Sequence, residues 1–203
     1  MTMRKEVKME KRKQYQVRDL ELDTTKDTAE KIISGYFIVF NSETELYEGV
    51  FEEISSESFA EVDLSDVRAL IDHDTAKVLG RTKAGTLSLQ ADEKGVYGEI
   101  KINENDREAM DLYYRVQRGD VDQCSFGFNI LDEEMETRED GTYKFTIKAI
   151  ELFEVSVVTF PAYADTAVEA RSKQIEEMEQ RDLLVKKSKL QEKLNGIKTT
   201  YFK

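Results

Sequence analysis

Two stretches of this chain, Thr86 to Gln90 and Val96 to Ile102, alternate apolar and polar residues about the connection Asp92-Glu93-Lys94-Gly95. Period-two alternation sends apolar side chains to one face of a sheet, and an Asp- and Gly-containing connection supplies hairpin chemistry. Similar β-branched and aromatic runs recur. Tyr15-Gln16-Val17 begins an alternating pattern, and Lys31 to Phe40 reads as a central strand with Gly35 as its bulge or bend. Tyr47 to Ile54 and Val67 to Ile71 are further extended segments. Cys124 to Leu131 and Tyr143 to Ile147 flank a strongly acidic loop ending in Asp140-Gly141, and Glu151 to Phe160 is a last strand stopped by Pro161. Many short strands without βαβ alternation predict a mainly β, α+β fold: an antiparallel β-barrel surrounded by a few helices.

The period changes at Asn103. Asn103 or Asn105 can cap a helix lined by Ala109, Met110, Tyr113, Tyr114 and Val116, and Gly119 ends it. Ser55 can cap a short helix before Phe59. Beyond Ala170 the composition turns to Lys, Glu, Gln and Leu, and a helical tail is predicted. Ile175, Met178, Leu183, Leu184, Leu190 and Leu194 are spaced too loosely for a sustained heptad. The predicted organisation is a flexible basic segment over 1–13, one domain over 14–171 and a charged helical tail over 172–203.

At 203 residues, with 39 % apolar and 35 % charged residues and no tryptophan, the chain suits one full-sized domain whose core rests on aliphatics, ten Phe and nine Tyr. Cys124 is its sole cysteine, so no intramolecular disulfide and no thiolate cluster for a metal can form, which fits a reducing, intracellular compartment. No apolar run is long enough to span a bilayer, and no apolar segment follows the basic start, so neither membrane insertion nor a signal peptide is expected. The net charge is −12; since the first thirteen residues carry +4, the remainder carries −16. A surface of that sign repels phosphate backbones, so nucleic acid is not expected as a partner.

The chemistry-bearing residues are few. His73, the single histidine, stands in Leu70-Ile71-Asp72-His73-Asp74 at the end of a predicted strand. Ser125 stands in Gln123-Cys124-Ser125-Phe126-Gly127-Phe128, and Glu154 interrupts the apolar run Leu152 to Val158. A serine hydroxyl needs a neighbouring base near pH 7, and imidazole is the side chain that is both neutral and basic there. A carboxylate on the far ring nitrogen fixes the tautomer and stabilises the imidazolium. On a regular strand Glu154 shares a face with Leu152, Ser156, Val158 and Phe160, an interior face on which a carboxylate needs a partner. Spacing alone does not single out this triad. Strand serines are ordinary, a lone histidine is commonly structural, and Asp72 or Asp74 can equally pair with the ring.

Read together, three segments resemble a known family. These are His73 followed by Val78-Leu79-Gly80-Arg81, then Ser125-Phe126-Gly127-Phe128, then Glu154 through Thr159-Phe160-Pro161-Ala162. Over roughly residues 15 to 170 they look like the prohead proteases of tailed bacteriophages of the HK97 type, which are related in fold to herpesvirus assemblins. The resemblance implies a capsid maturation serine protease with His73 as general base, Ser125 as nucleophile and Glu154 as third member. Assemblins have a second histidine in that third place; here a carboxylate must serve, with Glu151 and Asp74 as alternatives. Glycines near Gly80-Arg81 or at Gly127 are candidates for an oxyanion site, because glycine lets backbone approach a substrate. Cys124, beside Ser125, points to the opposite face of a strand, so only one of the two can meet His73.

The resemblance further implies no metal and no nucleotide cofactor, the major capsid protein and its scaffolding region as substrates, autoproteolysis, a homodimer, and location inside the viral procapsid in the host cytoplasm. Two other readings compete: a non-enzymatic scaffold or capsid-assembly protein on the same fold, and metal-dependent hydrolysis through His73 with Asp72 and Asp74.

Overall fold

The computed structural model describes residues 13–19, 30–160 and 165–201, and the chain divides into two compact units between Ala164 and Asp165. The predicted basic segment lies outside the described residues, apart from Lys13; so does Pro161.

Among its described residues the first unit carries ten strands in two sheets. The larger is built on β9 (Gln123–Thr137) and β10 (Tyr143–Val158), a long antiparallel hairpin turned at Gly141, whose φ is +85°. On the outer side of β9 lies β1 (Lys13–Asp19), antiparallel. On the outer side of β10 two strands follow one another: β4 (Val50–Ile54), with β3 (Thr44–Tyr47) antiparallel beyond it, and β5 (Arg68–Ile71), with β6 (Asp74–Arg81) antiparallel beyond it. Both β4 and β5 run parallel to β10. The smaller sheet is antiparallel, in the order β2 (Ile32–Val39), β8 (Gly95–Lys101), β7 (Leu87–Ala91). The architecture is mixed α+β and mostly strand. Among the described residues the strands form two sheets without a closed barrel, and the two parallel pairings correct the expectation of a wholly antiparallel one.

Local chemistry explains most elements. In the β7–β8 hairpin, Asp92 Oδ1 accepts from the backbone N–H of Lys94 and Gly95, an Asx-type turn. Helix α1 (Arg107–Arg118) is capped by Asp106, one residue beyond Asn105 and three beyond Asn103. Asp106 accepts from the N–H groups of Glu108 and Ala109, and Gly119 ends the helix at φ +80°. Its buried stripe is Ala109, Leu112, Tyr113 and Val116; Tyr114, predicted to line it, is exposed. Ser55 caps a short 3₁₀ turn over Ser56–Phe59, as expected. The irregularity in β2 falls at Phe37, between Tyr36 and Ile38, rather than at Gly35, and β2 lies at an end of its sheet rather than at the centre. The acidic segment read as a loop is largely strand, because β9 continues to Thr137 and β10 starts at Tyr143 and runs unbroken to Val158.

The core is one cluster that includes Ile33, Phe37, Val67, Ile100, Phe126 and Val155. Each such side chain contributes about 1.5–3 kcal/mol of burial. The second unit is the helix α2 (Asp165–Tyr201), which starts ahead of the predicted tail boundary and exposes Leu183, Leu184, Val185 and Leu190. No described helix is long and apolar enough to cross a membrane.

The open end of the β5–β6 hairpin is pinned. Val67 N–H donates to Thr82 Oγ1 at 2.9 Å, and Arg81 grips Asp66 with Nε to Oδ1 at 2.5 Å and Nη2 to Oδ2 at 2.8 Å. That grip lowers the Asp66 carboxyl from 3.8 to about 2. A depressed carboxylate contributes stability above its unfolded value and loses it as pH falls through its folded one. The stability difference between wild type and Asp66→Asn is therefore expected to be constant above about pH 5 and to shrink between about pH 4 and pH 2. Urea unfolding across that range measures it; a difference independent of pH would refute the pairing.

Candidate active site

Strand β10 has a core face and a site face, and a bulge decides which residues stand on each. Register with β9 runs Leu152↔Phe128, then Glu154↔Gly127, Val155↔Phe126, Ser156↔Ser125 and Val157↔Cys124. Phe153 is the extra residue. Its insertion reverses the alternation, so Leu152, Val155 and Val157 all join the core while Glu154 and Ser156 stand opposite Gly127 and Ser125 on the other face. The regular-strand expectation that Glu154 shares a face with Leu152 is thereby corrected.

Glu154 is only 4 % exposed. Burying a carboxylate costs several kcal/mol unless its oxygens find donors. Each oxygen has one: Oε1 lies 2.8 Å from His73 Nδ1, and Oε2 accepts from Ser156 Oγ at 2.6 Å. Gly127 makes the space. A Cβ there would sit inside van der Waals contact of Glu154 Oε1 and 2.6 Å from Phe153 Cε2. The glycine thus admits the carboxylate, which is a different use from approach to a substrate. Gly80 likewise is filled against protein, since its Cβ would meet the Thr86 carbonyl oxygen at 2.8 Å.

His73 occupies a two-residue turn. Ile71 of β5 pairs with Asp74 of β6, and the intervening Asp72 and His73 have φ of +47° and +58°. Two successive positive φ values are the signature of a type I′ hairpin turn, whose preferred residues are Asn and Gly. For residues with a Cβ, this conformation costs on the order of 1–3 kcal/mol each. Because β5 is parallel to β10, with Ile71 beside Val157, the turn is delivered to the end of β10, and His73 reaches back along it to Glu154. The backbone N–H of His73 donates to Ser156 Oγ at 3.3 Å. Ser156 therefore ties the carboxylate to the backbone of the histidine.

Ser125 lies on β9, directly across from Ser156 and on the same face, where cross-strand Cβ atoms stand about 5 Å apart. It is completely buried. Cys124 points the other way, into the core, with Sγ directed at the Tyr36 carbonyl oxygen at 3.4 Å. The structure thus brings His73 and Glu154 into hydrogen-bond contact and sets Ser125 one strand away from Glu154. The alternative carboxylates are engaged elsewhere: Glu151 accepts from Asn129 Nδ2 at 2.8 Å, and Asp74 lies 3.8 Å from Lys77 Nζ and accepts from Ala76 N–H. Ser156 was absent from the sequence-predicted set although it lies inside the quoted Glu154 segment. Polar spacing of two on an apolar strand was its only signal.

An ionised carboxylate only accepts, so His73 Nδ1 is the protonated ring nitrogen in this pair, and the Nε2 lone pair is the one fitted to take a proton. A buried carboxylate behind the ring holds both the tautomer and the ring plane. Among the described residues no group of three or more His, Cys, Asp or Glu could hold a metal ion, so Asp72, His73 and Asp74 form no such site.

The chain is similar to several known proteins. A family model described as Caudovirus prohead serine protease matches residues 13–181. The prohead protease of Escherichia phage T5 is 33 % identical over 97 residues, 48 % of this chain and 42 % of that protein, so the chain covers under half of that relative's length. The solved structure of the bacteriophage T4 capsid assembly protease superposes with a TM-score of 0.49 at 11 % identity, covering 74 % of this chain and 99 % of that one.

Gly127→Ala is expected to displace the Glu154 carboxylate and to destabilise the fold by about 1–3 kcal/mol, the usual cost of overpacking. Urea unfolding measures the second effect. The first is read from the low-field Nδ1–H proton resonance of the single imidazole, which should vanish or move. An unchanged resonance in a folded Gly127→Ala protein would show that the carboxylate does not need this space.

Proposed function

Because the chain belongs to the Caudovirus prohead serine protease family, we propose that it is a serine endopeptidase of capsid maturation, with Ser125 as nucleophile, His73 as general base and Glu154 as the residue that orients and charges the base. The observation that carries this reading is the 2.8 Å contact of His73 Nδ1 with the buried Glu154, made on the sheet face that also bears Ser125.

In this mechanism Ser125 Oγ attacks the scissile carbonyl carbon while its proton passes to His73 Nε2. The imidazolium formed is stabilised by Glu154. Collapse of the tetrahedral intermediate breaks the C–N bond, and His73 returns the proton to the leaving amine. A water then attacks the acyl-serine ester, again through His73, and releases the carboxylate product and Ser125. Removal of a triad member should lower turnover by about 10⁴ to 10⁶. The complete burial of Ser125 supports a latent state, since a peptide can reach its Oγ only after the residues that bury it move. Concentration-driven dimerisation inside the shell is the trigger proposed for that movement.

The substrates proposed are the scaffolding region of the major capsid protein and the chain itself, cleaved inside the procapsid. A likeness to the assemblin barrel belongs to the same proposal, as does the division into a 14–171 protease domain and a helical tail. The tail is proposed for capsid targeting or self-cleavage. Removal of residues after Ala170 should then lower procapsid incorporation, measured by co-sedimentation.

An intact-mass time course at high protein concentration, with chelator present, tests the chemistry. Wild type and Cys124→Ala should yield the same discrete fragments, and Ser125→Ala and His73→Ala should stay whole. If every chain stays whole when mixed with capsid protein, the reading of a non-enzymatic assembly protein replaces this one.

A further inference from the structure

The turn that carries His73 is held by a side chain with no part in the chemistry proposed above. Asp72 Oδ1 accepts from the backbone N–H of Thr159 at 2.8 Å, and Thr159 Oγ1 donates to Asp72 Oδ2 at 3.4 Å. The Asp72 backbone N–H donates to the Val157 carbonyl oxygen at 3.0 Å. The parallel β5–β10 ladder therefore continues one residue beyond Ile71 through backbone, and one bond further through the carboxylate. Thr159 is the first residue past the end of β10, so the clamp spans the turn and the strand that bears Glu154 and Ser156. Hydrogen bonds join Asp72 and its neighbour to three residues at that strand end: Ser156 receives the His73 N–H, Val157 the Asp72 N–H, and Thr159, just past the strand, donates to the Asp72 carboxylate.

These contacts answer a specific difficulty. Asp72 and His73 sit at φ +47° and +58°, where residues with a Cβ are disfavoured, and a two-residue turn in that conformation relaxes unless the surrounding structure over-determines it. The His73 ring meets Glu154 from a backbone held at positive φ. A hydrogen-bonded aspartate on the preceding residue fixes both the position of the turn relative to β10 and the peptide plane between residues 72 and 73.

We propose that Asp72 is a positioning residue: its carboxylate clamps the left-handed Asp72-His73 turn to Thr159 and thereby holds the imidazole in register with Glu154. This assignment rests on the peptidase reading of His73 and Glu154, and it concerns the geometry that serves them. The hydrogen bonds of Asp72 run to Thr159 and Val157, at the end of β10.

The test compares Asp72→Asn, Asp72→Ala and Asp72→Gly in the full chain. Asn keeps an Oδ1 acceptor for Thr159 N–H and tolerates positive φ, so it should retain cleavage within about threefold and leave the Nδ1–H resonance in place. Ala removes the clamp and keeps the Cβ. Gly removes the clamp and relieves the strain, so it serves if Ala fails to fold. Both should lower kcat tenfold or more with KM within twofold, and should broaden or shift the imidazole resonance while circular dichroism stays native. An Asp72→Gly protein with wild-type kcat and an unmoved resonance would overturn the proposal, as would an Asp72→Asn protein as impaired as Asp72→Ala. The imidazole resonance reads the geometry whether or not the protein cleaves anything. If wild type proves inactive while the resonance still responds to loss of the clamp, the peptidase reading fails and the positioning role stands.

Discussion

A carboxylate buried to 4 % exposure is the condition that the rest of this site satisfies. Glu154 lies in a strand that is otherwise apolar, and its charge is tolerable only because each oxygen has a donor at short range, His73 on one side and Ser156 on the other. Those donors belong to different elements, so the hydrogen bond from His73 couples the β5–β6 turn to the middle of the sheet. Gly127 leaves the volume in which the carboxylate sits, and the Phe153 bulge turns it to that side. Take away either device and the same residue types no longer converge.

Strand β10 carries this arrangement because of how it is flanked. It pairs with β9 along its whole length on one side, and on the other with β4 and then β5, both parallel to it. Parallel pairing delivers the end of β5 to the end of β10. The next two residues then reverse direction at positive φ and send the imidazole back toward Glu154. The alternation of β9 does the remaining sorting: Cys124 and Phe126 enter the core, and Ser125 and Gly127 face the site. A serine hydroxyl, a packing thiol and the glycine that accommodates the carboxylate are thus separated by nothing more than strand period.

The departures from sequence expectation share one origin. Helix α1, the β7–β8 hairpin and the Ser55 turn were legible because their determinants are local: caps, an Asx turn and a 3.6-residue stripe. Two local signals still misled. Gly35 suggested a bulge that falls at Phe37, and the acidic run after Leu131 suggested a loop where the ladder continues to Thr137. In each case pairing with a distant strand outweighs the intrinsic preference of the residue, as is usual for β structure.

By its sequence alone this chain determined a mainly β fold with one internal helix, a single imidazole, and the placing of Ser125 and Cys124 on opposite faces wherever β9 is a strand. Those follow from composition and from periods that no partner can change. Tertiary structure decided that β10 pairs parallel with β5, that the bulge falls at Phe153, and that Glu154 rather than Glu151 or Asp74 meets His73. It also decided that Ser156 and Asp72 brace the turn. The reason is physical: the face a strand residue takes and the carboxylate a histidine meets depend on register between segments more than eighty residues apart, and register is set by packing across the sheet rather than by the residues nearby.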